Sequence, residues 1–181
     1  FVDQGKIRYL GLSNETPYGL SKYLHLSSTH KFPRVVSVQN PYSLINRTYE
    51  VGLAEISVRE KVGLLAYSPL AFGMLTGKYL NGQMPEGSRL KLYSKNFPRY
   101  QGTRSQLAVE EYYKIAQKYE MSLTQMSLAF VNMQPFVDSN IIGATNMKQL
   151  EENINSIHID LSDEIVKDIN AIHENNPSPA P

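Results

Sequence analysis

Small and polar residues follow four apolar segments of the sequence, at the points where those segments end. The clusters occupy residues 11–14, 38–41, 66–69 and 143–146. Carboxamide groups donate and accept hydrogen bonds, and glycine lets a ligand approach the backbone closely. The last cluster leads into a helical pattern, whose first free N–H groups could bind phosphate. The sequence therefore predicts a ligand site with a phosphate-binding position.

Composition excludes several other kinds of chemistry. The 181 residues contain no cysteine, which excludes disulfide scaffolds, thiolate zinc sites and cysteine nucleophiles. The four histidines do not have the spacing of metal ligands. The 18 Lys and Arg residues nearly balance 17 Asp and Glu, so no basic excess favours nucleic acid or an anionic membrane. We expect neither partner, and we expect a cytoplasmic protein.

The four apolar segments that precede these clusters have the length of buried parallel strands. They occupy residues 7–13, 35–39, 63–68 and 140–143. The first three begin about 28 residues apart, a spacing typical of successive βα units. The gap before the fourth is longer and contains residues 81–104, rich in Gly, Pro, Lys and Arg. We predict that this segment is a loop without secondary structure that closes over a ligand.

Helix start signals follow the predicted strands. Thr16 is predicted to cap a helix with Pro17 in its first turn, and Ser162 is predicted to cap the last helix. Thr48 is the favoured cap of the second helix, with Asn46 as the alternative. The other helices are predicted around the stripe of Ala108, Tyr112, Ile115, Ala116 and Tyr119, from Leu123 to about Met133, and at 147–155 behind the capping-box pair Asn146 and Gln149.

Alternating strands and helices predict an α/β fold with a parallel sheet. An open doubly wound sheet and part of a (β/α)8 barrel are both compatible with this pattern. No GxGxxG motif follows the first strand, which weakens the open-sheet dinucleotide interpretation. A complete barrel has eight strands and about 250 residues, so this chain with four strands could form only part of one.

Four motifs in order resemble strands five to eight of the aldo-keto reductases. They are residues 5–14, 39–43, 66–70 with the following Gly73 to Tyr79 segment, and 141–146 with Gln149, Leu150, Glu152 and Asn153. The similarity covers essentially the whole chain. It is strongest to the branch that includes the Tas-like proteins and the potassium-channel β-subunits.

The resemblance implies that residues 1–181 are the C-terminal half of a (β/α)8 barrel, with residues 175–181 as a flexible tail. It places Phe1 in the helix before strand five and the natural C-terminus at Pro181. The family's catalytic Asp, Tyr, Lys and His lie on the first four strands, so the resemblance implies none of them here. The partners implied are the missing N-terminal half and a small carbonyl substrate.

The resemblance implies a parent enzyme that uses NADPH to reduce aldehydes or ketones to alcohols, with this half binding the cofactor. The chain alone is then expected to be inactive. One alternative is an NADP(H)-binding redox sensor or partner subunit without significant turnover. Another is a different phosphate-binding barrel enzyme, such as an isomerase.

The resemblance assigns cofactor contacts residue by residue. Tyr67 would stack on the nicotinamide ring, although a core tyrosine is the alternative. Ser13, Asn14 and Gln39 would bind its carboxamide, although turn capping is the alternative. The remaining contacts would be made by the loop residues Ser68, Leu70, Gly73, Leu75, Thr76, Gly77 and Lys78 at the pyrophosphate, by Ser88 and Arg89 at the adenosine phosphate, and by Gly143, Thr145, Gln149, Glu152 and Asn153 around phosphate and adenine. Lys78, Arg89 and Lys148 favour NADP over NAD, because a 2′-phosphate attracts cations.

Overall fold

A computed structural model describes residues 1–93, 95 and 97–181; residues 94 and 96 of the predicted loop 81–104 lie outside the described residues. Its sheet has four parallel strands in the order β1-β2-β3-β4. The strands are β1 (Leu10–Ser13), β2 (Val35–Pro41), β3 (Gly63–Tyr67) and β4 (Val137–Asn140). The predicted α/β class and parallel sheet are therefore confirmed, and the arrangement matches half of a (β/α)8 barrel.

Seven α-helices lie among the described residues. They are α1 (Pro17–His30), α2 (Leu53–Glu60), α3 (Arg89–Tyr93), α4 (Thr103–Lys118), α5 (Leu123–Asn132), α6 (Met147–Asn155) and α7 (Asp163–Asn175). Thr16 and Ser162 cap α1 and α7 as predicted, each accepting a backbone N–H in the first turn. No helix of the described residues is long and apolar enough to cross a membrane.

The four strands differ from their predicted bounds, β2 and β3 by one or two residues at the carboxyl end and β1 and β4 by three. Residues 7–9 are not in β1, because β1 is an edge strand and β2, its partner, begins opposite Leu10 at Val35. The fourth strand ends at Asn140 instead of beginning there. Its register is set by β3: the Leu64 N–H donates to Phe136 O and the Ile141 N–H donates to Ala66 O. The apolar pair at 141–142 therefore follows the strand.

The prediction that Thr48 caps the second helix is wrong. Thr48–Glu50 is a separate 3-10 turn, and α2 begins only at Leu53. Gly52 lies between the two segments and interrupts the helical backbone. Its φ is 102°, a conformation that glycine adopts more readily than other residues. Asn46, the alternative cap, instead accepts hydrogen bonds from the N–H and hydroxyl of Thr48.

The segment 81–104 also differs from the structureless loop that was predicted. Its described residues include 3-10 turns at Leu80–Gly82 and Pro98–Tyr100, the short helix α3 and the start of α4. Its closing over a ligand stays a prediction.

The sheet has one covered face and one open face. Val38, Leu64 and Ala66 are buried in the core with the helices. The alternate positions point the other way, and there Ser13 and Gln39 are exposed neighbours in the β1–β2 register. Adjacent side chains of a strand point to opposite faces, so a single layer of helices leaves the second face without a cover.

Residues 176–181 lie against the protein. Ala180 is fully buried, and its N–H donates to Ile45 O at 3.0 Å. The structure thus shows contacts between this segment and the rest of the protein. The flexibility that we expect for residues 175–181 stays a prediction.

Candidate functional site

The carboxyl ends of β1, β2 and β3 bring the predicted nicotinamide contacts together. The Tyr67 hydroxyl donates to Asn14 Oδ1 at 2.7 Å, and the Asn14 N–H donates to Gln39 O at 2.9 Å. Ser13 lies beside Gln39 in the register of β1 and β2. The Ser13 hydroxyl accepts a hydrogen bond from Asn14 Nδ2 at 3.3 Å. Asn14, Ser13 and Gln39 are exposed and Tyr67 is half-buried, so these polar groups can meet a ligand on the open face.

Sequence reasoning missed Asn40, which positions this cluster. Its Oδ1 accepts the Glu15 N–H at 3.0 Å, and its Nδ2 donates to Glu15 O at 2.9 Å. The side chain is 8% exposed and holds the turn that carries Asn14. Its position could signal this role, since Asn40 follows Val38 by two residues and shares its buried face.

The loop after β3 has a backbone shaped by positive φ angles. Gly73 and Gly77 have φ of 96° and 78°, and the neighbouring Ala71 and Phe72 have φ of 47° and 60°. The Thr76 hydroxyl donates to Gly73 O at 2.8 Å and fixes the turn. L-residues rarely adopt positive φ, so the surrounding packing must hold this loop. We call residues 70–78 the glycine-rich loop.

The side chain of Lys78, at the end of the glycine-rich loop, lies against Gly73 of the same loop. A Cβ at Gly73 would be only 3.0 Å from Lys78 Cε and 3.1 Å from its Nζ, so a side chain there would meet the lysine. Ser68 and Leu70 lie just before this turn, and Leu75 is buried within it. No acidic side chain of the described residues forms an ion pair with Lys78. Its charge is therefore free to bind an anion.

Arg89 lies beside two other predicted parts of the site. Its guanidinium carbon lies 5.4 Å from the centre of the Phe72 ring in the glycine-rich loop. A Cβ at Gly143 would lie 3.7 Å from its Nη2, which brings Arg89 to the turn after β4. Over the part of the chain that the structure describes, no carboxylate pairs with it. Among the described residues, Lys78 and Arg89 are thus both without carboxylate partners, and each lies beside a glycine of the predicted site.

Ser88, next to Arg89, is buried at 7% exposure. Its hydroxyl has no hydrogen-bond partner among the described residues. A buried polar group without a partner costs about 1–3 kcal/mol, so such groups are rare in proteins unless a ligand or water satisfies them. This hydroxyl is therefore a hydrogen-bond donor that the described residues leave unused.

The turn after β4 is fixed by residues that were predicted to bind adenine. Asn153 is buried and donates from Nδ2 to Gly143 O at 3.2 Å. Gln149 Oε1 accepts both the N–H and the hydroxyl of Thr145, at 2.9 and 3.0 Å. The predicted capping box is half formed, since Asn146 accepts the Gln149 N–H but Gln149 binds Thr145 in place of the cap.

Glu152 is turned away from this turn. Its Oε1 accepts the Ser122 hydroxyl at 2.6 Å, at the start of α5. Glu152 and Asn153 are thus engaged within the protein, while Gln149 and Lys148 are exposed at the start of α6. Adenine contacts of this helix stay a prediction.

Comparison with known proteins identifies the family of this chain. A model of the Aldo/keto reductase family matches residues 1–174. "Protein tas" of Escherichia coli is 54% identical over 177 residues, which are 98% of this chain and 51% of that protein. An "Aldo-keto reductase" of Babesia bovis is 39% identical over 95% of this chain and 63% of that protein.

A protein of Schizosaccharomyces pombe named "Putative voltage-gated potassium channel subunit beta" is 32% identical over 94% of this chain and 52% of its own length. The chain spans about half the length of the Escherichia coli and Schizosaccharomyces pombe relatives, as expected for four of eight barrel strands. The resemblance read from the four motifs is confirmed: the chain belongs to the aldo/keto reductase family.

Proposed function

We propose that this chain is the cofactor-binding half of an NADPH-dependent aldo-keto reductase that reduces aldehydes or ketones to alcohols. The observation that carries the proposal is a pair of cations without carboxylate partners at the glycine-rich loop, Lys78 beside Gly73 and Arg89 beside Phe72. Ser88, whose hydroxyl is unsatisfied among the described residues, is next to Arg89 in the sequence. Phosphate oxygens would accept from all three groups, and they would neutralise both charges. The glycine-rich loop adds backbone that a phosphate can approach closely.

The residues of the site also fit the other end of the cofactor. Tyr67 is held by Asn14 and offers a flat ring on the open face of the sheet. The carboxamides of Asn14 and Gln39 can both donate to and accept from a nicotinamide amide. When bound, NADPH would supply the hydride. Tyr67 would fix the orientation of the ring, which decides the face from which that hydride leaves.

NADPH is preferred over NADH because the unpaired cations can bind its additional phosphate. Arg89 presents a planar guanidinium, which suits a phosphate group better than a ribose hydroxyl. Lys148 at the exposed start of α6 adds a second positive charge near the Gly143 turn.

The proton-donating residues of the reaction would come from a second half of the barrel. Family resemblance assigns them to the first four strands, with a tyrosine as donor and an Asp, a Lys and a His tuning it. Such a half would pair with β1 and β4 and cover the open face. The carbonyl substrate would then lie between the two halves.

The test joins residues 1–181 to the part of the Escherichia coli Tas protein that lies outside the match; we call this chimera the completed barrel. We expect it to bind NADPH more tightly than NADH and to consume NADPH when a carbonyl compound is added. The 181-residue chain alone should show no such turnover. Absence of NADPH binding by the completed barrel, or carbonyl reduction by the chain alone, would overturn the proposal.

Arg89→Ala tests the phosphate site within the completed barrel. We expect NADPH affinity to fall about tenfold or more and NADH affinity to fall less, because a charge-assisted hydrogen bond contributes about 1.5–3 kcal/mol. The matched control is Arg59→Ala, since Arg59 pairs with Glu55 on the exposed surface of α2. Fluorescence titration measures the dissociation constants for NADPH and NADH. Equal NADPH affinity in the two variants would contradict this role of Arg89.

A second candidate is an NADP(H)-binding redox sensor or partner subunit with little turnover. Similarity to the Schizosaccharomyces pombe protein named as a channel subunit favours it. Tight NADPH binding by the completed barrel, without reduction of any aldehyde or ketone in a broad panel, would select this candidate. Measurable turnover would select the enzyme.

A further inference from the structure

The last six residues form a strap between the end of α7 and the start of α4. Arg104 Nε donates to Asn176 Oδ1 at 2.9 Å, and Asn176 Nδ2 donates back to Arg104 O at 2.8 Å. Pro179 O accepts the Ser105 hydroxyl at 3.0 Å. These bonds join residues more than seventy positions apart in the sequence. We call residues 176–181 the strap.

The far end of the strap is inserted into the protein. Ala180 is 0% exposed, and its N–H donates to Ile45 O at 3.0 Å. The Ser178 hydroxyl accepts the Arg47 N–H at 3.1 Å. Prolines at every second position restrict the free segment, so less conformational entropy is lost when it binds. The contacts and the restricted backbone therefore favour a single bound conformation of the strap.

The segment that the strap contacts continues to the candidate site. Arg99 donates from Nη1 to Pro181 O at 3.2 Å, and Arg99 O lies 2.9 Å from the Ser105 hydroxyl. On either side of Arg99, Phe97 and Tyr100 pack their rings near Phe72 at centroid distances of 4.0 and 6.0 Å. The strap is thus one packed layer away from the glycine-rich loop.

Phe72 is a strained point of that loop. Its φ of 60° is unfavourable for a side chain with a Cβ, so it needs support from outside. Phe97 and Tyr100 supply this support on the ring, and Arg89 also lies near the ring, 5.4 Å from its centre. Displacement of Phe72 would move both the loop and the guanidinium.

We propose that the strap is a positioning segment: through residues 97–105 it holds Phe72, and through Phe72 it holds the glycine-rich loop and Arg89 in place to bind a phosphate-bearing ligand. The expected effect of the strap on NADPH affinity rests on the proposed function. Its expected effect on the stability of the glycine-rich loop does not.

The test compares Ala180→Glu with Ala171→Glu in the completed barrel. A glutamate at 180 cannot be buried without a partner, so it expels the strap. Ala171 is exposed on α7, so the same change there buries no charge. Hydrogen–deuterium exchange is measured at the amides of Gly73, Leu75 and Gly77, which donate within the glycine-rich loop.

We expect exchange at these amides to become about tenfold faster in Ala180→Glu and to stay unchanged in Ala171→Glu, because loss of support favours local opening. NADPH should bind about tenfold more weakly in the first variant alone, within the usual range of coupling between sites. Faster exchange confined to 97–106 and 176–181, with the glycine-rich loop unchanged, would overturn the proposal, since a merely structural strap gives that result.

Two further results keep the strap and the cofactor proposals separate. If Ala180→Glu loses cooperative unfolding, Asn176→Ala carries the test under the same criterion, because it removes only the paired bonds to Arg104. If the unmodified protein binds no NADPH, the proposed function fails, while exchange at the loop still decides the role of the strap.

Discussion

Ser88 differs from the other predicted contact residues in what surrounds its hydroxyl. The hydroxyls of Thr76 and Thr145 have acceptors inside the protein, whereas the buried Ser88 hydroxyl has none among the described residues. The protein without ligand therefore carries a desolvation penalty at this position. Release of that penalty by a ligand oxygen would favour binding.

Ser88→Ala should raise the stability of the protein without ligand and weaken its NADPH binding. Removal of the unsatisfied hydroxyl should increase the free energy of unfolding by about 1 kcal/mol. NADPH affinity should fall several-fold, since one donor to phosphate is lost. Urea unfolding and fluorescence titration of the completed barrel measure the two effects.

Ser57→Ala is the matched control, because its buried hydroxyl lies 2.6 Å from the Tyr49 hydroxyl. Its loss leaves the Tyr49 group unpaired, so stability should fall while NADPH affinity stays the same. A destabilised Ser88→Ala protein with normal NADPH affinity would refute the interpretation of Ser88.

At the scale of elements, an ion pair joins the turn after β2 to α7. Arg47 donates from Nε and Nη2 to the two oxygens of Glu50, at 2.6 and 2.8 Å, and from Nη1 to Asn170 Oδ1 at 2.8 Å. Tyr42 also donates to Glu50, at 2.6 Å. Burial, together with Glu50, raises the pKa of Tyr42 far above its usual value, so the phenol stays protonated and can donate. The segment after β2, the 3-10 turn Thr48–Glu50 and α7 therefore meet at this carboxylate and its arginine.

Glu50→Ala should lower the free energy of unfolding by about 3 kcal/mol, because it leaves the partly buried charge of Arg47 without its partner. Glu55→Ala removes a glutamate from an exposed pair with Arg59 and should cost no more than about 1 kcal/mol. Chemical unfolding of the completed barrel measures both. Equal losses in the two variants would show that the Arg47–Glu50 pair does not join these elements.

At the scale of the whole molecule, the sheet has two edges and one face that the described residues leave without a partner or a cover. β1 and β4 are the edge strands of the order, and Ser13, Gln39 and Ser139 are exposed on the open side. Unpaired strand edges invite pairing with another chain. The fold therefore has the geometry of a part that needs a complement.

The 181-residue chain alone should aggregate, dimerise through its edges or lack a sharp unfolding transition. The completed barrel should be monodisperse and unfold cooperatively, because its edges are paired and its open face is covered. Size-exclusion chromatography with light scattering and thermal unfolding distinguish the two. A monodisperse monomer of the chain alone with a sharp transition would contradict the prediction.

The sequence by itself determined those features whose causes lie within a few residues of one another. Thr16 and Ser162 cap helices through N–H groups three residues away, and the strand-end motifs are contiguous. The family, the parallel α/β fold and the half-barrel interpretation followed from these local signals. The grouping of Ser13, Asn14, Gln39 and Tyr67 followed too, because parallel strands end at one edge of a sheet.

Only the tertiary structure decided features whose partners are distant in the chain. The register of β4 depends on β3, the role of Asn40 on Glu15, and the place of the strap on Arg47 and Arg104. The unsatisfied hydroxyl of Ser88 and the turn of Glu152 toward Ser122 belong to the same class. A hydrogen bond or a missing one depends on which groups come within about 3 Å, and no local pattern encodes that distance.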